Sequence, residues 1–328
     1  MNNQINYIWA SDYSKNTGEG ILGRLFIKKI IIQNKRIKNK KFILLKGSKN
    51  KDTFFHKYIN PFKGVFYLRK NKKNNIIYLN YLSLWNFIIF ILLPKKTILG
   101  PITGGEFRRK VEDANGFIRK YIFPIMYKIS LSIIQKKFTN VIFSTSILKK
   151  YVTKKNLRNC KFNFILQNFN TKNTKVKFKK KFDIIIYNRN HATKKNSDLN
   201  QMVEKIYHSN LKTIIFGDKL NFKPNKRFIY KGFVDRNVII KYLKKSHYVI
   251  NNQENYYSLF AIDAYNSQCL ILSDKNIYKE KNISKNFINM SFKNFNYKLL
   301  KNKKFIIKDK YFFQYVNSNN NKTNTLLG

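Results

Sequence analysis

Asp263 lies in the run QENYYSLFAIDAYNSQCLILSD, residues 253 to 274, which reads as an apolar helix leading into a strand. Leu259, Phe260, Ile262 and Ala264 cover most of that helix's circumference, so the carboxylate belongs to a mostly buried surface. Left alone there it would carry a large desolvation cost, so something polar must meet it. Two partners suit it. A ribose offers vicinal hydroxyls that one carboxylate accepts together, while the N-terminus of the same helix faces the phosphates of the same nucleotide. A nearby Lys or Arg in a salt bridge is the other.

Three further loops carry residues able to do chemistry. In YNRNHATKKNSD, Arg189 and Lys194 stand five apart after a strand, where a guanidinium and an ammonium can converge on a diphosphate. With 66 Lys and Arg in the chain, such a pair also arises by chance. In SDYSKNTGEGILGRLF, Gly18, Gly20 and Gly23 fit G-x-G-x-x-G. Ser11 to Thr17 separate them from the strand, and Lys46 and Gly47 stand where a dinucleotide site needs a ribose-binding carboxylate. The glycines are then a helix N-terminus open to a bulky polar ligand, or a tight turn. In LGPITGGEF, Thr103, Gly104 and Gly105 either touch a ligand through their backbone or only turn the chain.

These loops need a scaffold that presents strand ends. INYIWA, KFILLKG, NIIYLN, TILG and NVIFST read as short buried strands, alternating with helical patterns such as GILGRLFIKKIII and FIRKYIFPIMYKISLSIIQKKF. A second alternation has strands at 182–188, 212–217, 227–232, 247–252 and 269–274 and helices at 197–208, 236–246 and 258–266, with Asp235 as N-cap of the middle helix. The expected fold class is α/β, two doubly wound Rossmann-like domains facing a cleft. The expected organisation is a first domain over residues 1–172, a polar linker over 173–181, a second domain over 182–300, and a C-terminal segment with a polar tail over 301–328.

Composition narrows the partners. The net charge of +50 draws nucleic acid, anionic lipid or phosphorylated ligands, although Lys is interspersed with Asn and Ile in a way that a base-composition drift also produces. No RNA-recognition or zinc signature accompanies it. Cys160 and Cys269 lie far apart beside apolar residues, which fits a reducing cytoplasm. The apolar run Tyr81–Pro94 contains Asn86 and falls short of a bilayer span, so a buried strand and helix are expected there. There is no Asp-x-Asp pair and the four His are scattered, so neither metal nor cofactor is expected.

The second alternation resembles the donor-binding half of family 4 glycosyltransferases of GT-B architecture. Asp263 with Ala264 takes the place of the family's second Glu and its Ala, and the resemblance implies that this carboxylate holds the donor ribose. Tyr257, Ser258 and Leu259 match the Phe-Gly-Leu turn whose backbone N–H groups meet the diphosphate. NRNHATK is similar to the Gly-Arg-x-x-x-x-Lys signature, with Asn188 in place of the glycine, and assigns Arg189 and Lys194 to the leaving diphosphate. Asn255 stands where the family has its first Glu, with Glu254 one place earlier, and one of these two is implied to hold the donor sugar. Gly18 and Gly20 match a loop lying against the donor phosphates, and Thr103, Gly104 and Gly105 fall where a sugar or acceptor loop belongs.

The resemblance implies a metal-independent hexosyltransferase that retains anomeric configuration, moving sugar from a nucleotide-diphosphate donor to a glycan or lipid-linked acceptor in bacterial cell-surface polysaccharide synthesis. The expected location is cytoplasmic, peripheral on the plasma membrane's inner face, with an anionic membrane surface as a further partner through the apolar and basic helix near residues 116–138. No specific nucleic-acid partner is expected. Two other classes stay open: an NADP-dependent Rossmann oxidoreductase and a basic nucleic-acid-binding protein.

Overall fold

The computed structural model describes residues 4–15, 17–34, 40–46, 59–79, 84, 86–104, 117–170, 178–188, 197–251, 257–275, 283–300, 303–307 and 309–324. The first unit contains β1 (Gln4–Ala10), α1 (Gly18–Asn34), β2 (Lys40–Lys46), α2 (Asn60–Lys70), β3 (Asn75–Leu79), α3 (Phe87–Leu92) and β4 (Ile98–Ile102). It continues with a π-helical turn (Ile118–Ile122), α4 (Phe123–Lys137), β5 (Val141–Phe143) and β6 (Cys160–Lys161). Its sheet is parallel throughout, in the order β2-β1-β3-β4-β5-β6.

The second unit contains β7 (Phe182–Asn188), α5 (Ser197–Tyr207), β8 (Thr213–Gly217), β9 (Phe228–Gly232), α6 (Arg236–Leu243) and β10 (Ser246–Asn251). It is completed by α7 (Leu259–Asn266), β11 (Leu270–Asp274), β12 (Phe287–Met290) and α8 (Lys310–Asn324). This sheet is also parallel, in the order β12-β11-β10-β7-β8-β9. Read from the other edge it is the 3-2-1-4-5-6 order of a dinucleotide-type fold.

Burial explains why these strands form. All of β4, β8 and β11 is buried, as a parallel strand covered by helices on both faces requires. On α5, Leu199, Met202, Val203 and Ile206 fall at helical spacing and pack on Ile184, Ile186, Ile215 and Phe228. Each such side chain contributes about 1.5–3 kcal/mol by leaving water.

The boundary between units falls between Ile165 and Leu166, ahead of the polar segment 173–181 read from sequence as the linker. The reason is aromatic packing, because Phe169 sits edge-on to Tyr257, Tyr265 and Phe312 of the second unit. The second unit ends at Ser318, within α8, and the polar tail is helical as far as Asn324. The run Tyr81–Pro94 supplies helix α3. Asp235 does occupy the N-cap position of α6, but its side chain makes no capping hydrogen bond.

Gly217 closes β8 at φ 93°, and a Cβ there would meet the carbonyl oxygen of Asn188 at 1.9 Å. Gly217→Ala should lower unfolding stability by about 2–4 kcal/mol in urea titrations, from backbone strain and the clash together.

Candidate functional site

A sheet whose interior strands are apolar on both faces places its polar groups at the strand ends. In the second unit Asn188, Asn251, Ser273 and Asp274 are all buried and close the carboxyl ends of β7, β10 and β11. Strand order reverses between β7 and β10, and open α/β sheets take ligands beyond the strand ends at such a point. Asn188 is held by its Nδ2, which donates to the carbonyl of Asp218 at 3.0 Å, and by its own carbonyl, which accepts from Asp218 N at 3.1 Å.

Helix α7 leaves the same edge and is fixed at both ends. Ser258 Oγ accepts from Ala261 N at 3.0 Å and donates to Asn251 Oδ1 at 3.3 Å, so the cap is tied to the end of β10. Tyr257, just before the cap, is buried among Phe169, Phe287 and Phe312. At the far end Lys180 Nζ donates to the carbonyls of Ser267 and Gln268 at 3.1 and 3.0 Å, while Asn266 Nδ2 donates to Asn168 O at 2.9 Å.

Asp263 faces α6. Its carboxylate accepts two hydrogen bonds from Arg236, from Nε to Oδ2 and from Nη2 to Oδ1, each at 2.7 Å. This fork-to-fork pair is the salt bridge weighed above as one of two partners, and it joins the first residue of α6 to the middle of α7. Burial pushes the Asp263 carboxyl upward, and the Arg236 guanidinium pulls it back. Each carboxylate oxygen still has a second lone pair, so the pair does not exhaust its capacity to accept hydroxyls. Arg236 was missed in the sequence because nothing in its spacing signals a partner 27 residues away.

The first unit carries a second polar edge. Asp12, just beyond β1, accepts from Ser14 N at 2.8 Å and from Thr17 Oγ1 at 2.6 Å, and Thr17 Oγ1 accepts from Gly20 N at 3.1 Å. Glu19, in the first turn of α1, brings its enclosed carboxyl beside Asp12 and hydrogen-bonds to Thr103 at the end of β4. Burial first, and the Asp12 charge second, push Glu19 up to about 8, against a smaller opposing effect of Thr103. A carboxyl group so placed can hold or release a proton near neutral pH. Both acids sit inside the stretch SDYSKNTGEG, where the glycines drew attention first. The signal was that two of only 16 acidic residues fall within eight positions at a strand end.

The glycines themselves lie in or at the start of α1. A Cβ on Gly20 would fall 2.3 Å from Ser14 O and 2.7 Å from Asp12 Oδ1, so that glycine makes room for the chain's own loop, whereas Gly18 faces open space. The Asp12 charge beside this helix start opposes the anion that a dinucleotide would place there. Gly104 packs against Leu148, 2.7 Å from where its Cβ would be. Arg189, Lys194, Glu254, Asn255 and Gly105 lie outside the described residues. Among the described residues no group of three or more His, Cys, Asp or Glu is placed to hold a metal ion.

The chain is thus an α/β protein of two doubly wound Rossmann-like units, the GT-B class of fold expected from its sequence. No protein-family model matches it, and no curated protein matches it in sequence. Among solved structures it is similar to UDP-GlcNAc 2-epimerase of Methanocaldococcus jannaschii in complex with UDP-GlcNAc and UDP, with a TM-score of 0.52 and 12% identity over 96% of this chain and 99% of that one. A glycosyltransferase from Rickettsia africae matches with a TM-score of 0.47 and 13% identity, over 99% and 96% of the two chains. The Anabaena protein HepE in complex with UDP matches with a TM-score of 0.47 and 9% identity, over 98% and 92%. The first likeness shows the fold, and the other two are too slight to carry an argument.

Two outcomes test this geometry. Asp263→Ala, which strands the Arg236 charge, should cost about 2–4 kcal/mol in urea unfolding, and Arg236→Met with Asp263→Leu together should recover most of it. Because the folded state holds the Glu19 proton more tightly than the unfolded chain, wild-type stability should fall as pH rises from about 4.5 to about 8. Glu19→Gln should flatten that decline, which unfolding titrations across the pH series would read directly.

Proposed function

We propose that the protein is a glycosyltransferase that moves a sugar from a nucleotide-diphosphate donor to the hydroxyl of a glycan or lipid-linked acceptor. The observation that carries this reading is the carboxyl edge of the second unit, where the strand order reverses beside buried Asn188 and Asn251, a capped α7 and an oriented carboxylate. On this reading Asp263 accepts the donor's ribose hydroxyls with the lone pairs that Arg236 leaves, and Arg236 positions it and opposes the upward push of burial. The segment after β7 supplies Arg189 and Lys194, which neutralise the diphosphate as the anomeric bond breaks. Glu254 or Asn255 holds the donor sugar, and the reaction uses no metal. Cell-surface polysaccharide synthesis is the setting that the sequence resemblance suggests.

Stereochemistry has two readings. Retention is what the resemblance implies. The second, a single displacement with inversion, needs a base for the acceptor hydroxyl's proton, and the Glu19 carboxyl, which titrates near neutral, is the first unit's candidate for it. Asp12, whose nearby charge raises Glu19, is then a positioning residue.

Calorimetry with UDP, GDP, ADP, CMP and NADPH tests the donor class, and UDP comes first because the similar UDP-GlcNAc 2-epimerase structure, at a TM-score of 0.52, was in complex with it. One nucleoside diphosphate should bind selectively, and Asp263→Asn should weaken it by at least about tenfold. Binding of NADPH alone, or of none, would overturn the reading. With the donor known, the anomeric proton coupling of the product by NMR separates inversion from retention. Under inversion, Glu19→Gln should cut kcat by about 100-fold or more and remove the corresponding limb of the pH profile.

A further inference from the structure

Helix α4 and the π-helical turn before it present an apolar face outward. Ile118, Tyr121, Ile122, Ile125 and Ile129 recur at three- and four-residue intervals along one side and are 38% to 59% exposed. The opposite side, with Ser130, Leu131 and Ile134, is the one buried in the first unit. Short α3, which packs against α4, adds Ile88 and Ile91 at 46% and 51% exposure. An outward apolar strip of this length needs a partner.

The charge around it says which kind. Exposed Lys120, Lys128 and Lys136 are interleaved with the apolar positions. At the end of α3, Lys137 donates to the carbonyls of Phe90 and Ile91, close enough to Arg69 and Lys95 to feel both charges. Between residues 53 and 182 only Glu106, Glu112 and Asp113 are acidic, where an even spread of the chain's 16 acidic residues would put about six. A second copy of the chain would bring the same cations against themselves. No helix among the described residues is long and apolar enough to cross a membrane.

We infer that α4, its preceding turn and α3 form a docking surface for an anionic lipid bilayer, lying in the interface with the isoleucines in the acyl boundary and the lysines among the headgroups. This goes beyond the donor chemistry and does not depend on it.

The test is co-sedimentation of the full chain at moderate salt with vesicles of phosphatidylcholine, with and without phosphatidylglycerol. Binding should require phosphatidylglycerol, and Ile122→Glu with Ile125→Glu should weaken it by at least about tenfold at an unchanged melting midpoint. Lys241→Glu with Lys244→Glu, an equal or larger loss of exposed charge on α6, should weaken it far less. If the isoleucine variant fails to fold, Lys120→Glu with Lys128→Glu replaces it and should weaken binding more than the α6 pair. Wild type remaining in the supernatant, equal effects of the patch and α6 variants, or a wild-type dimer that the patch variants dissociate would each overturn the inference. Nucleotide calorimetry on the same preparations keeps this outcome separate from the donor reading.

Discussion

A parallel strand buried on both faces has no place for a charge along its length, and the rest of this molecule follows from that. Both sheets are parallel throughout, and their interior strands are built from Ile, Leu, Val and Phe. Polar groups are displaced to the strand ends, where backbone groups leave the ladder and helix N-termini begin. Asp12 after β1, Asn188 on β7, Asn251 on β10 and Asp274 on β11 are the outcome, each buried and each at a carboxyl end. Two of these four, Asp12 and Asp274, are acidic, and they lie where ligands of such sheets bind.

The two edges use their acids in opposite electrostatic settings. Asp263 meets a guanidinium on both its oxygens, which offsets part of the upward push of burial and fixes the direction of the carboxylate. Glu19 has a hydroxyl partner in Thr103 and a second carboxylate in Asp12, so burial and like charge both favour its protonated form. One edge is suited to holding a neutral polyol or a nucleotide in a set orientation. The other is suited to exchanging a proton near neutrality. The difference arises from local partners, while the fold around them is alike.

What was legible in the sequence was whatever depends on neighbours along the chain. The runs FDIIIYN, TIIFG and CLILSD announce buried strands by composition, and the 3.6-residue spacing of Leu199, Met202, Val203 and Ile206 announces a covering helix. Asp263 was legible as a carboxylate needing a partner, because its flanking residues are apolar. Its partner was not, since pairing Arg236 with Asp263 depends on how two helices pack across β10 and no local pattern encodes that. Gly20 was opaque for a related reason: a glycine signals a close approach without naming what approaches, and here it is the loop of Asp12 and Ser14, whereas Gly18 faces open space. The domain boundary was obscured likewise, because the polar run at 173–181 looks like a linker while Phe169, ahead of it, already belongs to an aromatic cluster assembled from residues about 90 to 140 positions later.

The basic, apolar helix α4 shows the limit of periodicity as a guide to burial. Its sequence has hydrophobic residues on two sides, and a pattern of that kind ordinarily means a helix enclosed within a core. Only the packing distinguishes the sides: Leu131 and Ile134 are buried in the first unit, whereas Ile122, Ile125 and Ile129 are exposed. Had the outer positions served solubility, the lysines interleaved with them would have sufficed, and isoleucine there would be a standing cost through self-association. Keeping both residue types on one face is economical only if the partner is apolar and anionic together, which a protein surface rarely is over several helical turns and a bilayer interface always is when it contains acidic lipid.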